Sequence, residues 1–193
     1  MAEALRGVAF APQIAAAALR HHLDPTLLAA VAAQETGGPG ARSGANIVGD
    51  GGHGRGLFQI DDRFHAFARS GEAMDPGKNA DYAAGMLEAG LRRFGDIRKA
   101  LSAYNAGDPN ARGTLTTWGD GATLGYADSV LRHCAQLGER AADAAATESP
   151  YEMHAANALG NFAQHTPPSR PQAQTQPEPS YRGIIDSDED AER

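Results

Sequence analysis

The sequence predicts a mainly α fold: a helical domain with a small strand-and-loop region, followed by a disordered C-terminal tail. Three observations carry this. Apolar residues recur at helical spacing in several segments bounded by Asp, Pro and Gly. Few segments alternate with period two, so any sheet is small. From Thr166 onward the chain reads TPPSRPQAQTQPEPSYRGIIDSDEDAER, rich in Pro, Gln and acid, and it cannot bury enough apolar surface to offset the entropy of ordering. The expected organisation is a domain over 1–148, a short helix within 149–165 and the tail over 166–193.

Taken in order, residues 12–22 suit a first helix. LDPTLLAAVAAQETGG then carries its own start and stop, with Asp24 as N-cap, Pro25 at the first helical position and Gly37 just past the end. Leu27, Leu28, Val31 and Glu35 share one side of that helix, which puts a carboxylate on an inward face. Residues 37–56 form a glycine-rich connection, long enough to suggest function rather than mere linkage. GLFQI, residues 56–60, is the best strand in the sequence. A helix follows over 76–94 on the stripe Ala83, Met86, Leu87, Gly90, Leu91 and Phe94; Gly95 ends it. Asp96 caps the next, DIRKALSAYNAG, with Ile97, Ala100, Leu101 and Tyr104 in phase. Beyond a loop with Trp118, residues 125–137 carry Tyr126, Val130, Leu131, Cys134 and Leu137 at helical spacing.

Composition removes several classes of function. The chain has 193 residues and a formal net charge of −7. No Lys/Arg run stands out in residues 1–165, so nucleic-acid binding is not expected. No stretch approaches the roughly 20 apolar residues of a membrane span. The alanine-rich start is interrupted by Glu3, Pro12 and Gln13 and reads as an ordinary helix rather than a secretory signal. With one cysteine, Cys134, the chain forms no internal disulfide, and that residue's place on an apolar stripe makes it a packed small side chain.

The stretch GDGGHGRGLFQIDD invites three chemistries. GDGGHG satisfies the dinucleotide fingerprint G-x-G-x-x-G, but no apolar strand precedes it and no helix opens at its end. No Gly-Lys-Ser/Thr follows for a phosphate loop. Asp50, His53, Asp61, Asp62 and His65 are metal-ligand types, yet HExxH, a Cys/His quartet and calcium-loop spacing are all missing, so solvated loop acids are expected and no metal or other cofactor. No G-x-S-x-G marks a serine nucleophile. Carboxylate chemistry remains. Glycoside cleavage needs one acid still protonated near neutral pH. An inward-facing Glu35 beside Leu28 and Val31 meets that need by desolvation. Taken alone, a glutamate near a frayed helix end is more readily a solvated side chain.

Four motifs then occur in order: LLAAVAAQETG, GHGRGLFQID, FGDIRKALSAYNAG and GYADSVL. Over roughly residues 10–138 they resemble the successive motifs of the soluble lytic transglycosylase and goose-type lysozyme family. The resemblance implies an α+β lysozyme-like fold and cleavage of the MurNAc–GlcNAc β-1,4 bond of peptidoglycan glycan strands. It assigns Glu35 as catalytic acid, with Thr36 where the family has serine and Phe58 where it has methionine. It places Gln59, Tyr104, Asn105, Tyr126 and His65 as substrate-binding or cleft residues.

The family's two branches differ in what attacks the anomeric carbon. In the transglycosylases the muramoyl 6-hydroxyl closes an anhydro ring; in the goose-type lysozymes water attacks. Asp50 in GD and Asp61 after QI match the acids of the hydrolytic branch, and QIDDRFH matches its continuation. The expectation is therefore inverting hydrolysis with Asp50 and Asp61 positioning water. The alternative is a transglycosylase with Glu35 as sole acid and base. Two further readings are a glycan-binding module without turnover and a component of a phage or secretion apparatus. Action on the bacterial cell wall, as a monomer, completes the expectation; the tail is by default an inert extension, and the alternative is an attachment point for a delivery partner.

Overall fold

A computed structural model describes residues 5–147; the short helix expected within 149–165 and the tail over 166–193 lie outside them. Five α-helices among the described residues build the core, and two small antiparallel sheets flank it. Helix α1, Ala11–Arg20, begins with Pro12 in its first turn and buries Ile14, Ala17 and Ala18. It ends two residues earlier than the spacing predicts. His21 leaves helical geometry, and its ring nitrogens lie 2.9 Å from Glu88 and 3.1 Å from Asp81.

Helix α2, Pro25–Ala32, starts where expected: the Asp24 carboxylate accepts the Thr26 N–H at 2.8 Å. Every residue from Leu28 to Ala32 is fully buried. A helix apolar all round is a central helix, and its alanines let neighbours approach closely. The chain continues as a π-helical turn, Ala33–Gly37, closed by the Gly38 N–H donating to the Ala33 carbonyl at 2.9 Å. The break therefore comes at Gly38, with φ 80°, and Gly37 lies within the turn.

Strands β1 (Ile47–Gly49), β2 (Gly54–Gly56) and β3 (Ile60–Asp61) form an antiparallel sheet in that order, with Val48 opposite Arg55 and Arg55 opposite Ile60. GLFQI is thus not one strand: Gly56 ends β2, Ile60 opens β3, and residues 57–59 are the turn that joins them. Positive φ at Gly56 (75°) and Gln59 (48°) turns the chain back, and the consecutive Leu57 and Phe58 both enter the core instead of alternating. This loop is plugged into the helical domain. The buried Asn79 side chain accepts the Phe58 N–H at 2.8 Å and donates to the carbonyls of Arg55 and Ala73, each at 3.0 Å.

Helix α3, Pro76–Phe94, is capped by Asp75, whose carboxylate accepts the Lys78 N–H, and it ends at Gly95 with φ 62°. Helix α4, Ile97–Ala106, is capped by Asp96 and ends at Gly107, with φ 71°. Strands β4 (Thr116–Thr117) and β5 (Thr123–Leu124) pair as a hairpin before helix α5, Tyr126–Thr147. Helix α5 outlasts the expected Leu137, because residues 138–147 contain no proline and are rich in alanine. Helix α3 packs on α1 and α4, and α5 on α2 and α4. No helix among the described residues is long and apolar enough to cross a membrane.

Candidate active site

The buried α2 ends in the π turn, and the turn delivers Glu35. A π turn widens the helix by one residue and often marks a functional position. Glu35 keeps an exposed edge. Its carboxyl is nonetheless held by protein, and burial pushes its pKa from an ordinary 4.5 up to about 7. The Tyr126 hydroxyl, donating to Glu35 Oε1 at 2.5 Å, works the other way by favouring the charged form. Tyr126 opens α5 and is buried. Its ring stacks with that of Tyr104 of α4 at 6.3 Å between centroids, and the Tyr104 hydroxyl donates to the Phe58 carbonyl at 3.0 Å. Burial, with the nearby Glu35 charge, raises both phenols well above their ordinary range, so both remain protonated donors. Glu35, Tyr126, Tyr104 and the 57–59 loop therefore form one connected group.

Thr36 ties the loop after the turn to this group. Its hydroxyl accepts the Ala45 N–H at 2.7 Å and lies 3.4 Å from the carbonyls of Ala32 and Leu57. Gly44 packs so closely on Thr36 Oγ1 and the Ala32 carbonyl that a Cβ there would overlap both. Two glycines of the stretch GDGGHGRG have a comparable role. Gly49 and Gly54 leave room for the amide of Gln59, whose nitrogen donates to the carbonyls of Ile47 (3.1 Å) and Gly56 (2.8 Å). That amide nitrogen, expected to face sugar, is engaged within its own sheet.

Asp50 and Asp61 come together, but on a guanidinium. Arg63 Nη2 lies 2.5 Å from a carboxylate oxygen of each, and Arg63 Nε is 3.0 Å from both oxygens of Asp61. The Arg63 hydrogen bonds hold the Asp61 carboxyl below the usual carboxylate range. The neighbouring acid, Asp62, is likewise held low by His53 at 2.8 Å and Arg55 at 2.7 Å. His53, Asp61 and Asp62 place ligand atoms within 4.8 Å of one another. Protein cations and the histidine already occupy those oxygens, so the cluster reads as a clamp across the sheet.

The remaining expected residues hold structure around the site. Asn105 Oδ1 accepts the Thr114 N–H at 2.9 Å, pinning the loop after α4. His65 Nδ1 lies 3.1 Å from the Tyr82 hydroxyl, and burial lowers its pKa. Asn79 is the residue that sequence reasoning passed over. Its signal was a polar side chain four residues before Ala83, in phase with the apolar stripe of α3.

Comparison with known proteins agrees with the architecture. Residues 12–122 match the Transglycosylase SLT domain family. A protein of Enterobacteria phage PRD1 described as a transglycosylase is 33% identical over 124 residues, covering 62% of this chain and 41% of that protein. The match thus spans less than half of that relative's length. Tyr126 falls just beyond the matched family region, so its place beside Glu35 rests on the geometry. The extent of the family match, over more than half of the sequence, means that this chain belongs to the transglycosylase SLT domain family.

Proposed function

We propose that the chain is a lytic transglycosylase that cleaves the MurNAc–GlcNAc bond of peptidoglycan with Glu35 as its single acid and base. The observation that carries this is what each carboxyl has for a partner: Glu35, lifted to about 7, faces a neutral phenol, whereas the oxygens of Asp61 are taken by the Arg63 guanidinium it shares with Asp50. Protonated Glu35 gives its proton to the glycosidic oxygen as the bond to the anomeric carbon breaks. The resulting carboxylate, stabilised by the Tyr126 hydroxyl, takes the proton of the muramoyl 6-hydroxyl as that oxygen bonds to the same carbon. Glu35 ends as it began, the product is a 1,6-anhydro ring, and no water is consumed. The substrate places the reaction at the bacterial cell wall.

Hydrolysis is the second reading. Its support is the convergence of Asp50 and Asp61 on one point of the sheet, where a released carboxylate would serve as base. An inverting site needs its carboxyls about 6.5–9.5 Å apart. Digesting purified peptidoglycan in isotopically labelled water separates the two. Anhydro-muramic ends without label support transglycosylation. Reducing ends carrying label overturn it, and their loss in Asp61→Asn would assign the base.

A further inference from the structure

Helix α5 grips the π turn twice. Tyr126 and Ser129 lie three residues apart on one face, and they reach successive residues of the turn: Tyr126 Oη donates to Glu35, and Ser129 Oγ donates to Gln34 Oε1 at 2.5 Å. The second grip has a direction built into it. Trp118 Nε1, which can only donate, gives its proton to Ser129 Oγ at 3.0 Å. The serine oxygen therefore accepts from the indole, and its own proton goes to Gln34. That choice fixes which end of the Gln34 amide is oxygen and leaves its nitrogen to donate to Thr116 Oγ1 on β4 at 2.8 Å. Ser129 is fully buried and Trp118 is 4% exposed, so water does not compete for the bond from the indole to the serine. The indole is itself held: the Arg132 guanidinium lies 4.3 Å from its ring and the His133 ring centroid 4.6 Å away.

We propose that the chain Trp118–Ser129–Gln34 positions Glu35, by holding the π turn in the register that aims its carboxyl at Tyr126. The inference rests on the proposed role of Glu35. A π turn is a rare backbone state. Relaxing it to α geometry rotates the residues that follow about the helix axis and turns Glu35 away from the Tyr126 hydroxyl. Neither Gln34 nor Ser129 needs to touch substrate. Their effect passes through the neighbouring residue, as that of a positioning pair.

The test is a pH–rate profile on purified peptidoglycan for the full chain and for Glu35→Gln, Ser129→Ala and Trp118→Phe. Ser129→Ala is expected to lower kcat about tenfold, the equivalent of one hydrogen bond in the transition state. KM should stay unchanged. Its alkaline limb should move to lower pH: the lost Tyr126 bond acts upward, but burial is the larger effect and a loosened Glu35 regains water. Adding Trp118→Phe to Ser129→Ala should cost little more, since both break one chain. If Ser129→Ala does not fold, Gln34→Met carries the same expectation with a side chain of similar length. An unshifted limb in the folded variants, or a fall in thermal stability with kcat intact, overturns the positioning role. Full activity in Glu35→Gln would instead remove the reading of Glu35 itself and leave the chain a structural one.

Discussion

Replacing Glu35 by glutamine should stabilise the protein at neutral pH and leave it unchanged in acid. The carboxyl titrates near 4.5 in the unfolded chain and at about 7 in the folded one. The folded state thus binds the proton more tightly, and stability is lost as pH rises from 4.5 through 7. A tenfold difference in proton affinity between the two states is worth about 1.4 kcal/mol, so full ionisation costs about 3 kcal/mol. Because Glu35 keeps an exposed edge, solvent screening trims this to about 2 kcal/mol. Below pH 4.5 both states carry a neutral carboxyl and the cost vanishes. Asp61 and Asp62, both held low in the folded state, act with the opposite sign but are present in both proteins and cancel in the difference. The glutamine still offers Oε1 to Tyr126. Urea unfolding of the wild type and Glu35→Gln from about pH 4 to pH 8 reads this directly. The variant should match the wild type at the acid end and gain about 2 kcal/mol above pH 7, roughly 4–8 °C in Tm. Parallel curves across that range would refute the desolvated carboxyl, and with it the proton donor.

Tyr126→Phe removes the hydrogen bond that favours ionised Glu35, so the alkaline limb of the pH–rate profile should move to higher pH, by about 1, while kcat falls; a limb that moves down contradicts the assigned bond. Asn79→Ala strands the Phe58 N–H and the carbonyls of Arg55 and Ala73 in the core; a loss of about 3 kcal/mol in urea unfolding is expected. Gly56→Ala combines φ 75° with a Cβ 2.6 Å from Asn79 Cγ and 2.7 Å from the Ala73 carbonyl. A loss of about 2–4 kcal/mol should follow by the same measurement. Asp61→Asn, which breaks the pairing with Arg63, should leave the chemical identity of the muropeptide ends unchanged by mass analysis.

Much of the fold is local and was legible for that reason. Asp24, Asp75 and Asp96 each announce a helix start through a side chain acting within three residues, and Gly95 and Gly107 announce ends through positive φ. What sequence reading missed depends on contacts distant along the chain. GLFQI has strand composition, yet the bonds from Asn79 and Tyr104 capture its middle as a turn from 21 and 46 residues away. The π turn is equally invisible, since its register is set by Ser129, 95 residues from Gln34. The acidic residues show the limit most clearly. The family resemblance implies a water-positioning pair, but it does not reveal that Arg63 sits between them.

That guanidinium bears on the choice of reaction. An enzyme that divides proton donation and acceptance between two carboxyls needs environments that push their pKa values apart and leave the base free to accept. Here the values are apart, with Glu35 raised and Asp61 lowered, but the second carboxyl is not free. Arg63 contacts both oxygens of Asp61 and also reaches Asp50, so a proton arriving there would have to displace a charged partner. Glu35 faces no such competitor. Its hydrogen-bond partner is a neutral phenol, which serves the carboxylate as donor and the carboxylic acid equally well as acceptor. A group lifted to about 7 can give a proton and take one back near neutral pH with little driving force lost in either direction. One carboxyl doing both jobs within a turnover is the requirement of anhydro-ring closure, and the pairing of Glu35 with Tyr126 supports that proposal.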